Sequence, residues 1–124
     1  CAFALKHNLI TAEESGVDVG TLHSIGGAAN SRLWTQIKSD VTGKTVKIPS
    51  SDTATTLGAA ILAGVGVGIY SDFEDAVRQT VHFRQCYEPI PEHHVKYQKI
   101  FEVYLESYEK LKEVFPKLGR WDSL

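Results

Sequence analysis

The stretch covering residues 19–41, VGTLHSIGGAANSRLWTQIKSDV, constrains the rest of the chain more than any other. It reads as a short apolar strand over residues 21–25, then Gly26-Gly27-Ala28-Ala29, then an amphipathic helix. At such a junction the first backbone N–H groups of the helix lack partners within it and point back over the strand end. The helix dipole adds partial positive charge there, which suits a nucleotide or another anion. The glycines also remove the Cβ atoms that would keep a flat ring or a ribose off the backbone.

The surrounding pattern is that of an α/β chain. Ala2, Leu5, Leu9 and Ala12 share one face of a helix over residues 2–14, which Ser15-Gly16 stops. After the glycines, Asn30 or Ser31 is placed to cap a helix whose apolar side is Leu33, Trp34, Ile37 and Val41, and Gly43 ends it. Residues 45–48 form a second strand, shut by Pro49. Strand, helix and strand with such short connections predict a right-handed parallel crossover. Ser50-Ser51-Asp52 offers caps for a third helix to about Val65, with Leu57, Ala60, Ile61 and Val65 as its buried stripe. A glycine inside a helix costs about 1 kcal/mol relative to alanine, so Gly58 is expected to answer a steric demand. Ser71-x-x-Glu74 has the form of a capping box for a short helix to about Gln79. Residues 81–87 run extended until Pro89 and Pro91. A last helix over residues 92–115 carries the stripe Tyr97, Phe101, Tyr104, Tyr108, Leu111, Phe115, expected to bury against the chain's own core.

Composition bounds the function. With a net charge of −2 and no basic stripe, nucleic acid is excluded as a partner. No apolar run reaches the roughly 18 residues of a membrane helix. The 2 cysteines, Cys1 and Cys86, make no disulfide framework, which points to a reducing cytoplasm. The chain has no methionine and opens inside a helical pattern, so a fragment is expected, with residues 1–124 as a single portion of a larger fold.

Several catalytic patterns fail on context. Gly43-Lys44-Thr45 has the tail of a P-loop, but its first glycine position is Lys38, and a helix precedes where a strand is needed. Gly64, Gly66 and Gly68 follow a helix, the wrong side for a dinucleotide fingerprint. His93-His94, with His82 and Cys86 nearby, lacks the second pair of a zinc site. Asp40, Asp52, Asp72 and Asp75 read as caps and surface charges. No nucleophile stands at a recognisable spacing from a base, and no catalytic residue is assigned.

Residues 26–34, GGAANSRLW, together with the segments at 2–6, 55–64, 68–76 and 89–115, resemble the C-terminal portion of the FGGY carbohydrate kinases, xylulokinases most of all. The resemblance implies an actin-like ATPase fold of RNase H-like domains, with short parallel strands, several helices and a long C-terminal helix. It implies Mg-ATP as phosphoryl donor, with adenine and ribose against Gly27 and Ser31 and with Gly26 and Ala28 as the flat wall. Many xylulokinases carry a third glycine where this chain has Ala28. The catalytic aspartate, the Mg2+ ligands and the sugar site are implied to lie on the part that precedes this portion. The implied acceptor is D-xylulose, with gluconate, ribulose and glycerol as alternatives. For the chain alone, the other class is a non-catalytic binding or assembly module, with a homodimer formed through the aromatic helix or an open sheet edge.

Overall fold

The computed structural model of the chain describes residues 1–51 and 53–118. The elements run α1 (Ala2–Glu14), β1 (Thr21–His23), a 3-10 turn (Gly27–Asn30), α2 (Arg32–Thr42) and β2 (Thr45–Pro49). They continue with α3 (Ala54–Gly66), α4 (Phe73–Thr80), β3 (Phe83–Tyr87), α5 (Pro91–Leu111) and α6 (Phe115–Leu118). The sheet has the order β1-β2-β3. β1 and β2 pair in parallel, Leu22 opposite Val46, and α2 is their crossover. β3 pairs antiparallel to β2, so the sheet is mixed and not wholly parallel. The register slips between Ile48 and Pro49, where proline has no N–H to give the ladder.

β2 is the centre of the core because it has a strand on each side. Val46 and Ile48 are fully buried at alternate positions, packed with Ala29 and flanked by Leu22 and Tyr87.

Helix α2 departs from its expected pattern. Leu33, expected inside, is 73 % exposed, and the buried face is Thr35, Ser39, Asp40, Val41 and Thr42. The reason is what that face meets. It abuts chain ends whose backbone groups need partners, so polar side chains serve better than apolar ones there. Ser39 Oγ lies 2.8 Å from the Lys44 carbonyl and 3.0 Å from that of Tyr87. Asp40, expected at the surface, is 2 % exposed and accepts from Ile90 N–H at 2.8 Å. Gly43 ends α2 in the left-handed region, as expected, at φ 72°.

α1 uses two faces. Besides the expected stripe, Phe3, Lys6 and His7 turn toward α5: Phe3 rests on Tyr97, Phe101 and Tyr104, and His7 meets Tyr108 edge-on at 4.8 Å. The buried Lys6 places its ammonium 4.8 Å from the centre of the Phe101 ring, and burial lowers its pKa. The aromatic stripe of α5 is therefore only partly core. Phe101 is buried and Tyr97 and Tyr104 half-buried, whereas Tyr108, Leu111 and Phe115 are exposed. The helix also stops at Leu111, short of the expected 115.

In α3, Ile61 and Gly64 are buried and Leu57 and Val65 half-buried, but Ala60 is exposed. Asp52, one of the expected caps, lies outside the described residues; Ser51 Oγ accepts from Thr53 N–H at 3.3 Å. The close approach expected at Gly58 occurs at Gly64, where an added Cβ would sit 2.7 Å from the Tyr70 ring. The capping box of α4 lies one residue later than expected: Asp72, not Ser71, is the N-cap and accepts from Asp75 N–H at 2.8 Å.

Candidate functional site

The glycine turn leaves the carboxyl end of β1. Ser24 N–H donates to the Lys47 carbonyl at 3.0 Å, one bond beyond the strand, and the chain then lifts off the sheet. Gly26 takes φ 79° and ψ −178°, a conformation essentially confined to glycine. The 3-10 turn follows, closed by Ala29 N–H on the Gly26 carbonyl at 3.0 Å. Ala29, 3 % exposed, drives its methyl into the core beside Val46 and Ile48. The turn is thus fastened to the sheet by one small side chain.

Gly26, Gly27, Ala28 and Ser31, the four residues singled out in the sequence, are all exposed, within or directly beside this one turn. As expected, the glycine stretch separates the strand from the helix. The 3-10 turn intervenes, and the α2 N–H groups begin beyond it at Arg32. Ser31 is the N-cap of α2, its Oγ accepting from Trp34 N–H at 3.3 Å. Asn30, the other expected cap, instead accepts from Arg84 Nη2 on β3 at 2.6 Å. A Cβ built on Gly27 would meet no atom within 4 Å.

The surface beside the turn is concave on both sides. Ile25, just before Gly26, lines a cleft of about 220 Å³ with His23, Pro49, Ser51, Leu57 and Gly58, at the carboxyl ends of β1 and β2. Arg32, just after Ser31, lines a shallower groove of about 400 Å³ with Gln85, Cys86 and Tyr87. Clefts at the carboxyl ends of parallel strands are where open α/β sheets bind ligands. Cationic groups stand at the feet of the turn. Lys38 Nζ donates to Ser24 Oγ at 2.7 Å, and burial lowers its pKa. Sequence reasoning missed Lys38 and Arg84. Lys38 enters it only as the residue that breaks the P-loop pattern, and 54 residues separate Arg84 from Asn30.

His93, His94, Asp40, Asp75 and Lys44, among the groups read as catalytic or metal-binding patterns in the sequence, have structural partners. His93 Nδ1 lies 2.9 Å from Asp40 Oδ2, and His94 Nδ1 donates to the Asp40 carbonyl at 2.7 Å. Burial pushes the Asp40 carboxyl up. Hydrogen bonds from Ile90 N–H, Gln36 and His93, with the charge of His93, outweigh it and hold the pKa below the ordinary carboxylate value. Asp75 is likewise held low, first by Gln79 and then by Ser71 N–H. Lys44, of the P-loop-like string, pairs with Glu13 of α1. Among the described residues no group of three or more His, Cys, Asp or Glu could hold a metal ion. No helix among them is long and apolar enough to cross a membrane.

The family model for the C-terminal domain of the FGGY carbohydrate kinases matches residues 1–67, more than half of the 124-residue chain. The chain belongs to this family. The FGGY match holds α1, the glycine turn, the β1–α2–β2 crossover and α3, and ends before α4, β3 and α5. The chain is 45 % identical over 87 residues to the autoinducer-2 kinase of Yersinia enterocolitica, an alignment covering 70 % of this chain and 16 % of that protein. It thus spans about a sixth of the length of the curated FGGY relatives that it matches. The ligand-bound xylulose kinase of Lactobacillus acidophilus superposes with a TM-score of 0.80 at 21 % identity, covering 94 % of this chain and 24 % of that one. The glycerol kinase of Plasmodium falciparum, solved with ADP, gives 0.72 at 20 % identity, covering 86 % and 22 %. Likeness at this identity speaks to the fold, which is the α/β, actin-like ATPase class of the FGGY sugar kinases.

Proposed function

We propose that residues 1–124 form the C-terminal nucleotide-binding portion of an ATP-dependent carbohydrate kinase, and that the turn of residues 26–31 is its shelf for adenine and ribose. The observation that carries this reading is the open glycine face. No atom of the described residues lies within 4 Å of a Cβ built on Gly27, so packing among them gives no reason for a glycine there. A flat base or a ribose lying on the backbone gives one. In this reading Gly26 sets the direction of the chain, Ala28 continues the wall, and Ser31 presents its hydroxyl at the helix start. ATP and ADP are the nucleotide partners, and the fold likeness to a glycerol kinase solved with ADP supports them.

The kinase as a whole would transfer the γ-phosphoryl group of Mg-ATP to a hydroxyl of the acceptor, with metal and backbone donors balancing the developing charge. The described aspartates of this chain that were weighed for such roles are engaged in caps and helix clamps. The base and the Mg2+ ligands are therefore assigned to the rest of the kinase, and this portion positions the purine. ATP and a sugar acceptor place the enzyme in the cytoplasm.

Two acceptors have support of different kinds. The sequence motifs favour D-xylulose, while the relatives at 45 % identity are named for autoinducer-2. Identity of that size is the stronger guide, and the autoinducer-2 reading is preferred. Assaying the kinase that carries this chain on both acceptors decides between them. The site itself is tested with Gly27→Val, which should raise the ATP KM about tenfold, roughly 1.4 kcal/mol of lost binding, and leave the acceptor KM unchanged. An ATP KM equal to that of the wild type would refute the shelf.

A further inference from the structure

The turn of residues 26–31 has little to hold it. Gly26, Gly27 and Ala28 are exposed, two of the three are glycines, and Ala29 alone is buried in the core. A backbone of that kind loses more conformational freedom on ordering than any other. A ligand that needs it in one shape must supply the difference, so whatever fixes the turn beforehand strengthens binding. Among the described residues, two side-chain hydrogen bonds from other elements brace the ends of the turn. At the entry, Lys38 of α2 donates to Ser24 Oγ at 2.7 Å. At the exit, Arg84 Nη2 of β3 donates to Asn30 Oδ1 at 2.6 Å.

We propose that Arg84 is a positioning residue for the nucleotide, holding the exit of the glycine turn through Asn30. The inference rests on the shelf reading given above and adds to it a residue from outside the stretch that the family model matches, which ends at residue 67. β3 is a suitable base for such a contact. It is paired with the core strand β2 on both sides of Arg84, Ile48 opposite Gln85 and Pro49 opposite Phe83, and Arg84 is the residue skipped where the register slips between them. The amide oxygen of Asn30 accepts, and a guanidinium always carries its charge, so the bond persists across the working pH range. Asn30 directly precedes Ser31, whose hydroxyl caps α2. Holding Asn30 therefore fixes both the last residue of the turn and the start of the helix. The contact is exposed and acts through geometry, without touching the nucleotide in this reading.

The test is steady-state kinetics of the kinase carrying this chain, with R84A, R84K, N30A and the double variant R84A/N30A beside Gly27→Val. R84A and N30A should each raise the ATP KM about fivefold, the scale of one exposed charge-assisted hydrogen bond, with kcat and acceptor KM within about twofold. The double variant should be no worse than R84A alone, because the bond that N30A removes is already absent there. R84K should recover part of the loss. If Gly27→Val raises the ATP KM and R84A does not, Arg84 has no positioning role and the shelf stands. If Gly27→Val is also silent, the shelf reading fails and this inference with it. Equal movement of ATP and acceptor KM in R84A, or additive effects in the double variant, would show a general structural role and overturn the proposal.

Discussion

Gly43 shows how much a single position can demand. It closes α2 at φ 72°, and a Cβ there would lie 2.7 Å from the imidazole carbon Cε1 of His94. An L-residue in the left-handed region costs about 1–2 kcal/mol, and alanine here would also push away the ring that binds the Asp40 carbonyl. Gly43→Ala should therefore lower the chain's stability by at least about 2 kcal/mol, read as a fall in urea midpoint at constant slope. Gly27 makes the contrast. Its side-chain position is open, so Gly27→Val should leave the urea midpoint nearly unchanged while it alters nucleotide binding. Two glycines sixteen positions apart thus have different physical reasons, one internal to the fold and one facing outward.

At the scale of elements, α2 and α5 are joined by Asp40. Ile90, the N-cap of α5, has no capping side chain, and the carboxylate of Asp40 takes its place from another helix. Gln36 adds a bond to Asp40 at 2.8 Å and another to the Glu88 carbonyl at 2.9 Å. The Asp40 carboxyl is held below its ordinary pKa in the folded chain, so its contribution is complete at neutral pH and above about pH 4. It is lost as pH falls from there through the folded-state value. Stability of the chain should drop over that acid range, and Asp40→Asn should flatten the drop while lowering stability at pH 7 by about 3 kcal/mol. Urea midpoints of both forms between pH 3 and pH 7 check this; a parallel acid limb in the variant would remove Asp40 as its source.

The whole molecule is uneven in how its parts are covered. Around β2 the packing is close, with α2 lying on β2 and β3 and carrying α1 and α5 against it. The α3–α4 pair packs chiefly on itself, and its outer side carries Leu62 and Ile69, 63 % and 72 % exposed, with Val67 and Phe73. Exposed apolar surface of this kind drives association. The 124-residue chain on its own should self-associate in light scattering, and Leu62→Lys with Ile69→Lys should shift it toward monomer without loss of helical circular dichroism. Association unchanged by the pair would place the contact instead at the end of α5 and the start of α6, where Leu111 and Phe115 are also exposed.

The sequence by itself determined the parts governed by neighbours along the chain. The crossover of β1, α2 and β2, the stop at Gly43 and the glycine turn were legible because caps, breakers and helical or strand periods act over a few residues. That Gly26, Gly27, Ala28 and Ser31 lie side by side follows from their being one short stretch of sequence. The tertiary structure alone decided which faces are buried. Leu33 lies in solvent and Asp40 inside because α2 meets the backbone ends of β3 and α5, and periodicity does not reveal what a helix face will meet. It alone decided that β3 returns antiparallel, and it alone brought Arg84 to Asn30, for pairing over tens of residues depends on the path of the whole chain and leaves no local mark.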